Sequence, residues 1–467
     1  MSTGLIEKIS EKYGDYLTDE SRLTGFADSI SFPRSEEEVI RIIRELKGTP
    51  ITIQGANTGI VGGAVPRGGH IMNLSGMKRV FDFKLLRSGE GRITVEPGLT
   101  LDELAVAVTS CFKRTPMFWP PRPTETTATV GGVAALAAKG INACHYGDSR
   151  KYIEEIRFVD DGGAVHTVSR DRDAEELDQL LGSEGIAGPV TRLTLRLLPK
   201  PESVWGLGFF FTEDGQAELC AEALRHLPSE NDNAWVSAME YMDKNTLDLI
   251  ESRKIVVEGI RSLPDVPKDT RAMIYVELEG EDQGIEELMV CIAGITDGHG
   301  SDPDKAWAVM GEADADKLHV FRHTAPEAVN LRIAGVRSID DRIRKLGTDI
   351  AFPERDIRET IEEYRKDLRE SGLPGCIFGG ISDSHMHVNI VPVNYEQYAA
   401  GKELIQRWSA KAAGKGGSVI TEHGIGKLKQ EIMSSGQLES VRDFYRPLKE
   451  KYDPENIFNR GDIFEDK

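Results

Sequence analysis

The sequence predicts an α+β protein of two or three domains. Its 467 residues exceed what one hydrophobic core sustains. Helix-period and strand-period segments alternate along it without a repeating unit. Three glycine-rich loops precede Pro201, residues from about 203 to 375 lack them, and a histidine-bearing stretch follows Cys376.

In chain order, Ser35 is expected to cap a helix, with Glu38 reaching back and Val39, Ile42, Ile43 and Leu46 on one face. The apolar run Ile51-Thr52-Ile53 reads as a buried strand. It leads into Gln54-Gly55-Ala56-Asn57-Thr58-Gly59, then Gly62-Gly63 and Gly68-Gly69. Glycines at this density leave successive N–H groups uncovered, and such a concavity suits a pyrophosphate. The loop is neither a Walker A sequence nor a GxGxxG fingerprint, and a plain glycine-rich turn is the competing reading. A strand and turn follow from Gly91, and Thr100 with Glu103 has the spacing of a capping box before Leu104 and Val106.

A second loop spans Phe118 to Gly147, with prolines, Thr126, Thr127 and Thr129, and Gly131-Gly132 opening an alanine-rich helix. Ile153 to Val168 reads as a hairpin turning at Asp160-Asp161-Gly162-Gly163. A third glycine loop, Leu181 to Gly188, precedes the alternating strand Val190 to Leu198. Pro199-Lys200-Pro201 marks a boundary. Beyond it, strand-like runs (Val204 to Phe211, Ala272 to Leu278) alternate with helical ones (Ala217 to His226, Gly284 to Ile295), which is a second α+β domain.

The stretch Cys376 to Pro392 contains His385-Met386-His387-Val388-Asn389 in strand-like alternation, so His385, His387 and Asn389 share a face. Two imidazoles and an amide there suit a metal or base cluster, or else an exposed polar face. Thr421-Glu422-His423-Gly424-Ile425-Gly426-Lys427 adds a carboxylate and a histidine in a glycine-flanked turn, so a 2-His/carboxylate site is expected. An ordinary turn before a helix Lys427 to Ser434 is the alternative.

The 57 basic and 77 acidic residues give a net charge of −20, which argues against nucleic acid as a partner. No apolar run approaches the ~20 residues of a membrane helix, and no signal segment opens the chain, so a cytoplasmic location is expected. The five cysteines are scattered without CxxC spacing, so buried free thiols are expected rather than a cluster held by this chain.

Taken together, QGANTGIVGGAVP, VEPGLTLDEL, PPRPTETTATVGGVAALAAKG, LGSEGIAGPVTRLTLRLLPKP, HVNIVP, TEHGIGKLK and DPENIFNRGDI resemble the flavoprotein family of D-lactate dehydrogenase, the glycolate oxidase flavin subunit and D-2-hydroxyglutarate dehydrogenase. The resemblance runs essentially end to end. It implies a two-lobed FAD-binding domain of the vanillyl-alcohol-oxidase (PCMH) type over 1–202, an α+β cap domain over 203–420, and a C-terminal segment over 421–467 returning to the flavin.

It also implies FAD held by Gln54, Gly55, Ala56, Asn57, Thr58, Gly59, Gly62, Pro121, Thr126, Thr129, Gly131, Gly132, Glu184, Gly185, Ile186, Val190 and Asn459. Thr58 stands where covalent relatives have a histidine, so the flavin is expected to be non-covalent. Arg332 would bind a substrate carboxylate, His423 would be the base and Asn389 would join them; His387, Glu422 and His385 would hold a divalent metal (Zn, Fe or Mn). Here Gly380 replaces the family's first ligand histidine, so that either His385, on the His387 face, substitutes for it or the site is metal-poor, and Gly347 stands where some relatives have lysine.

The implied reaction is oxidation of a small D-2-hydroxy carboxylate. Electrons would pass to an electron-transfer flavoprotein, an iron–sulfur subunit or a quinone. A homodimer is open. An alkyl-dihydroxyacetone-phosphate-synthase-like non-redox enzyme and a flavin subunit that only passes electrons are the competing readings.

Overall fold

The computed structural model describes residues 4–227, 233–353, 357–430 and 432–465. The chain divides into two compact units: Met1–Gly140, Gly147–Lys200 and Glu422–Lys467 form one, Ile141–Tyr146 and Pro201–Thr421 the other.

The first unit is built on two sheets. Four strands run in the order Ile6–Lys8, Ser29–Ser31, His70–Asn73, Ile51–Gln54, the last three parallel. The antiparallel sheet runs Val80–Leu85, Gly91–Val95, Val190–Pro199, Ile153–Val159, Val165–Ser169, with Met117–Phe118 also on Val190–Pro199. The expected strand at Ile51 and the hairpin after Ile153 are therefore present. Val39, Ile42 and Ile43 of the helix Glu36–Glu45 are buried in one cluster with Ile51, Met72 and Phe458.

Local capping explains where the helices start. Ser35 accepts from the Glu38 N–H, but the Glu38 carboxylate reaches past the cap to the Arg34 N–H at 2.7 Å. Thr100 and Glu103 make the reciprocal capping box that their spacing predicts. The expected helix from Lys427 to Ser434 shrinks to Gly426–Lys429, and a separate helix Ser435–Tyr452 starts at its own Ser434 capping box. The cysteines also differ from expectation: Cys220 and Cys376 are buried, Cys111 is half-buried, and Cys144 and Cys291 are exposed.

The second unit carries an eight-stranded antiparallel sheet among the described residues. Its order is Trp307–Met310, Ser203–Phe211, Ala272–Gly280, Ala234–Asp243, Gly375–Gly380, His385–Ile390, Leu346–Gly347, with Ile350–Ala351 also on His385–Ile390. Phe321, Ala325, Val329 and Ile333 of the helix Glu312–Arg337 recur at helical spacing and pack with Met242, Met273, Tyr275 and Phe378. The segment Ile141–Tyr146 rejoins this unit. There Cys144 Sγ bonds the Ser237 carbonyl at 2.9 Å and His145 stacks on Trp235.

Candidate functional site

In the first unit the three glycine loops meet the C-terminal tail. Asn459 organises the junction: its Oδ1 accepts from the Ile53 N–H at 2.8 Å and its Nδ2 donates to the Glu184 carbonyl at 2.6 Å. Its own N–H bonds the Ile51 carbonyl, and the Ile51 N–H bonds Ile457. The tail thus extends the parallel sheet beside Ile51, which pairs with Phe458. Glu184 is buried in a left-handed conformation, and its carboxylate accepts from the Ile425 and Gly426 N–H groups at 2.6 and 2.9 Å. Both side chains, expected against a cofactor, hold the loops to one another.

The first loop has the features of a cradle. Asn57 has a φ of 58°, a conformation that non-glycine residues seldom adopt, and its buried Oδ1 has no hydrogen-bond partner. Gly62 has a φ of 79°. Gln54 braces the loop from beneath, its amide donating to Tyr16 and Ala64 carbonyls at 2.8 and 2.7 Å. A Cβ at Gly55 would lie 2.3 Å from Thr129 Oγ1, so the first and second loops touch through a position that only glycine can fill. Thr129 in turn caps the helix Val130–Leu136 by accepting from the Gly132 N–H, and a Cβ at Gly131 would meet Pro97 at 2.6 Å. Pro121, Gly185 and Ile186 lie among these loops, and Val190 begins the strand after them. Thr58 and Gly59 are half-buried, whereas Ala56 and Thr126 are exposed, and the Thr126 hydroxyl bonds Asp102 at 3.0 Å. An uncovered turn, left-handed backbone and an orphaned Asn57 oxygen fit a dinucleotide flavin.

Sequence reasoning missed the charged core beneath this turn. Lys427 is buried and bonds Asp462 at 2.6 Å and the Gly63 carbonyl at 3.2 Å. Burial pushes the Asp462 carboxyl up to about 8, against the pull of Lys427. Asp19 is raised to about 6 by the same cause. Lys427 reads in the sequence as the start of a helix, and nothing there signals an ion pair. In the same unit His423 Nε2 and Glu422 Oε1 lie 3.3 Å apart, each about one-fifth exposed.

In the second unit, His385, His387 and Asn389 line one face of their strand, all buried at 4, 7 and 3% exposure. This removes the reading of an exposed polar face. The two rings lie 4.5 Å apart between centroids. Asp349 Oδ1 is 2.9 Å from His385 Nε2, and its Oδ2 accepts from the Thr421 N–H at 3.1 Å. His387 Nδ1 faces the Thr348 carbonyl at 3.3 Å. A carboxylate and a carbonyl holding one nitrogen of each ring form the outer shell that orients histidine ligands, so this donor set fits a divalent metal. Asp349 and Thr348 precede the histidines by more than thirty residues, and the sequence alone does not pair them.

The two departures from the family pattern have structural counterparts. Gly380 pairs with His385, and a Cβ there would lie 2.7 Å from Asp383 Oδ1. Gly347 pairs with Asn389, and a Cβ there would lie 3.1 Å from Asn389 Oδ1. Glu240 also pairs with Gly380, so it shares the histidine face, and it holds the buried Arg322 at 2.8 Å. Arg322 comes from the helix Glu312–Arg337 and lies over Phe378. Arg332, expected to bind substrate, stands further along that helix and is exposed.

Two family models match: "FAD binding domain" over residues 27–169 and "FAD linked oxidases, C-terminal domain" over residues 217–463. The chain belongs to the FAD-linked oxidase family. Its relatives include the D-lactate dehydrogenase of Anaerostipes hadrus, 28% identical with 96% of this chain and 92% of the relative covered. The probable mitochondrial D-lactate dehydrogenase of Danio rerio is 26% identical over 94% of this chain and 84% of the relative. The mitochondrial D-2-hydroxyglutarate dehydrogenase of Arabidopsis thaliana is 26% identical over 93% and 74%. Among solved structures, an alkyldihydroxyacetonephosphate synthase superposes with a TM-score of 0.67 at 17% identity, covering 98% of this chain and 82% of that one, which establishes a shared fold.

Proposed function

We propose that this protein oxidises a small D-2-hydroxy acid, of the D-lactate type, to the 2-oxo acid and delivers the electrons to an external acceptor. The observation that carries the reading is the histidine pair held by Asp349 and Thr348 in a chain whose relatives are D-lactate and D-2-hydroxyglutarate dehydrogenases along nearly its whole length. The three glycine loops would hold FAD, which would supply the acceptor for a hydride from the substrate's α-carbon.

The protein's own groups divide the remaining work. His385 and His387, with Glu422 as the carboxylate that the sequence motif nominates, would hold a divalent metal that acidifies the substrate hydroxyl. His423, 3.3 Å from Glu422, takes the hydroxyl proton. Arg332 receives the substrate carboxylate, with Asn389 as a polar neighbour of the histidines. Relatives named as a cytochrome-linked D-lactate dehydrogenase and as a glycolate oxidase subunit support an electron acceptor that is itself a protein.

Anaerobic mixing with D- and L-lactate, glycolate, malate and 2-hydroxyglutarate tests the proposal through flavin absorbance, with and without chelator. A D-2-hydroxy acid is expected to bleach the flavin, and His423→Ala is expected to slow that step by about 10²–10⁴-fold. A flavin-loaded protein that none of these acids reduces would sink the assignment and leave an electron-carrying or non-redox flavoprotein.

A further inference from the structure

The strand Val80–Leu85 ends the antiparallel sheet of the first unit, and all six of its residues are exposed. Phe83 and Leu85 are 48 and 51% exposed, Val80 and Phe81 37 and 40%. An apolar edge strand of this kind is normally shortened, covered or guarded by charge, because its open N–H and C=O groups can pair with another chain. This one carries two charges, Asp82 and Lys84, of opposite sign.

The direction of its open groups follows from the ladder. The Leu86 N–H bonds the Glu90 carbonyl at 2.8 Å across the turn to Gly91–Val95. Antiparallel pairs alternate between bonded and non-bonded, so Lys84 and Asp82, opposite Arg92 and Thr94, turn their main-chain groups inward. Phe83 and Leu85 turn theirs to the open edge. A partner strand therefore bonds at Phe83 and Leu85; a twofold at Asp82 or Lys84, where the facing pair is non-bonded, would set like charges opposite one another.

We propose that this edge is the dimer interface of the protein: Val80–Leu85 pairs antiparallel with the same strand of a second copy, across a twofold axis at Phe83. In that register each Phe83 exchanges both main-chain bonds with its counterpart. Asp82 of each copy then stands opposite Lys84 of the other, twice by symmetry. Centring on Leu85 instead sets Lys84 opposite Leu86 and Phe83 opposite Arg87, which pairs no charges. The two charges that guard the edge against other strands thus complement one another only in a copy of itself.

Sedimentation equilibrium of the flavin-loaded protein at micromolar concentration is expected to show a dimer. Asp82→Lys and Lys84→Asp, each placing like charges opposite, are expected to weaken it about tenfold or more. The double variant D82K/K84D restores opposite charges and is expected to recover the dimer. Flavin content and thermal midpoint show that each variant folds. Phe83→Cys gives an independent reading, since mild oxidation is expected to yield a covalent dimer that wild type does not form. A monomeric wild type, a dimer indifferent to both single reversals, or no recovery in the double variant would overturn the proposal.

Discussion

His70 shows how one buried side chain makes stability depend on pH. It lies on the parallel strand beside Ile51, wholly buried, with its two ring nitrogens 2.8 and 2.7 Å from the Ser29 and Ser31 hydroxyls. Neutral hydroxyls offer no charge to stabilise an imidazolium, and burial lowers the ring to about 4 from its usual 6.5. The unfolded chain therefore binds a proton that the folded chain refuses between those values. The native state loses stability as pH falls from about 6.5 towards 4, by roughly 3 kcal/mol in full. Urea unfolding at pH 7 and pH 5 is expected to show a smaller difference in His70→Asn than in wild type. Glu240 and Arg322 are a second case of buried charge, tolerable because each satisfies the other; removing one partner leaves the other uncompensated.

Among the elements, the short helix Val130–Leu136 depends on the residue that caps it, Thr129. Seven residues cannot hold a helix by propensity, so the Thr129 cap and the packing of Gly131 on Pro97 maintain it. Thr129 also closes against Gly55 of the first glycine loop. Thr129→Ala is expected to cost about 1 kcal/mol for the cap, and to weaken flavin retention as well, because two loops move together. Ser35→Ala, whose side chain caps the helix Glu36–Glu45 away from the second loop, is the control: similar loss on thermal unfolding, unchanged flavin affinity. If both variants retained FAD equally, the contact between the two loops would have no part in binding.

For the molecule as a whole, the net charge of −20 sets how it meets a partner. Among the described residues no helix is long and apolar enough to cross a membrane. An acidic surface attracts an acceptor through a basic patch, and salt screens that attraction over about 10 Å at 0.1 M. Turnover coupled to a protein acceptor is expected to fall as ionic strength rises, while anaerobic flavin reduction by substrate stays constant. The comparison of the two rates separates docking from chemistry.

Much of this protein follows from short-range rules. The Ser35 and Thr100 caps, the strand at Ile51, the hairpin after Ile153 and the shared face of His385 and His387 each depend on residues a few positions apart, where backbone geometry leaves few choices. Glycine density likewise marks the loops, since an uncovered turn needs residues without side chains. What lay beyond the sequence joins distant positions: Asp349 to His385, Asn459 to Ile53 and Glu184, Lys427 to Asp462. Such pairs form because folding buries a polar group that must then find a partner, and only the packed chain determines which group is near.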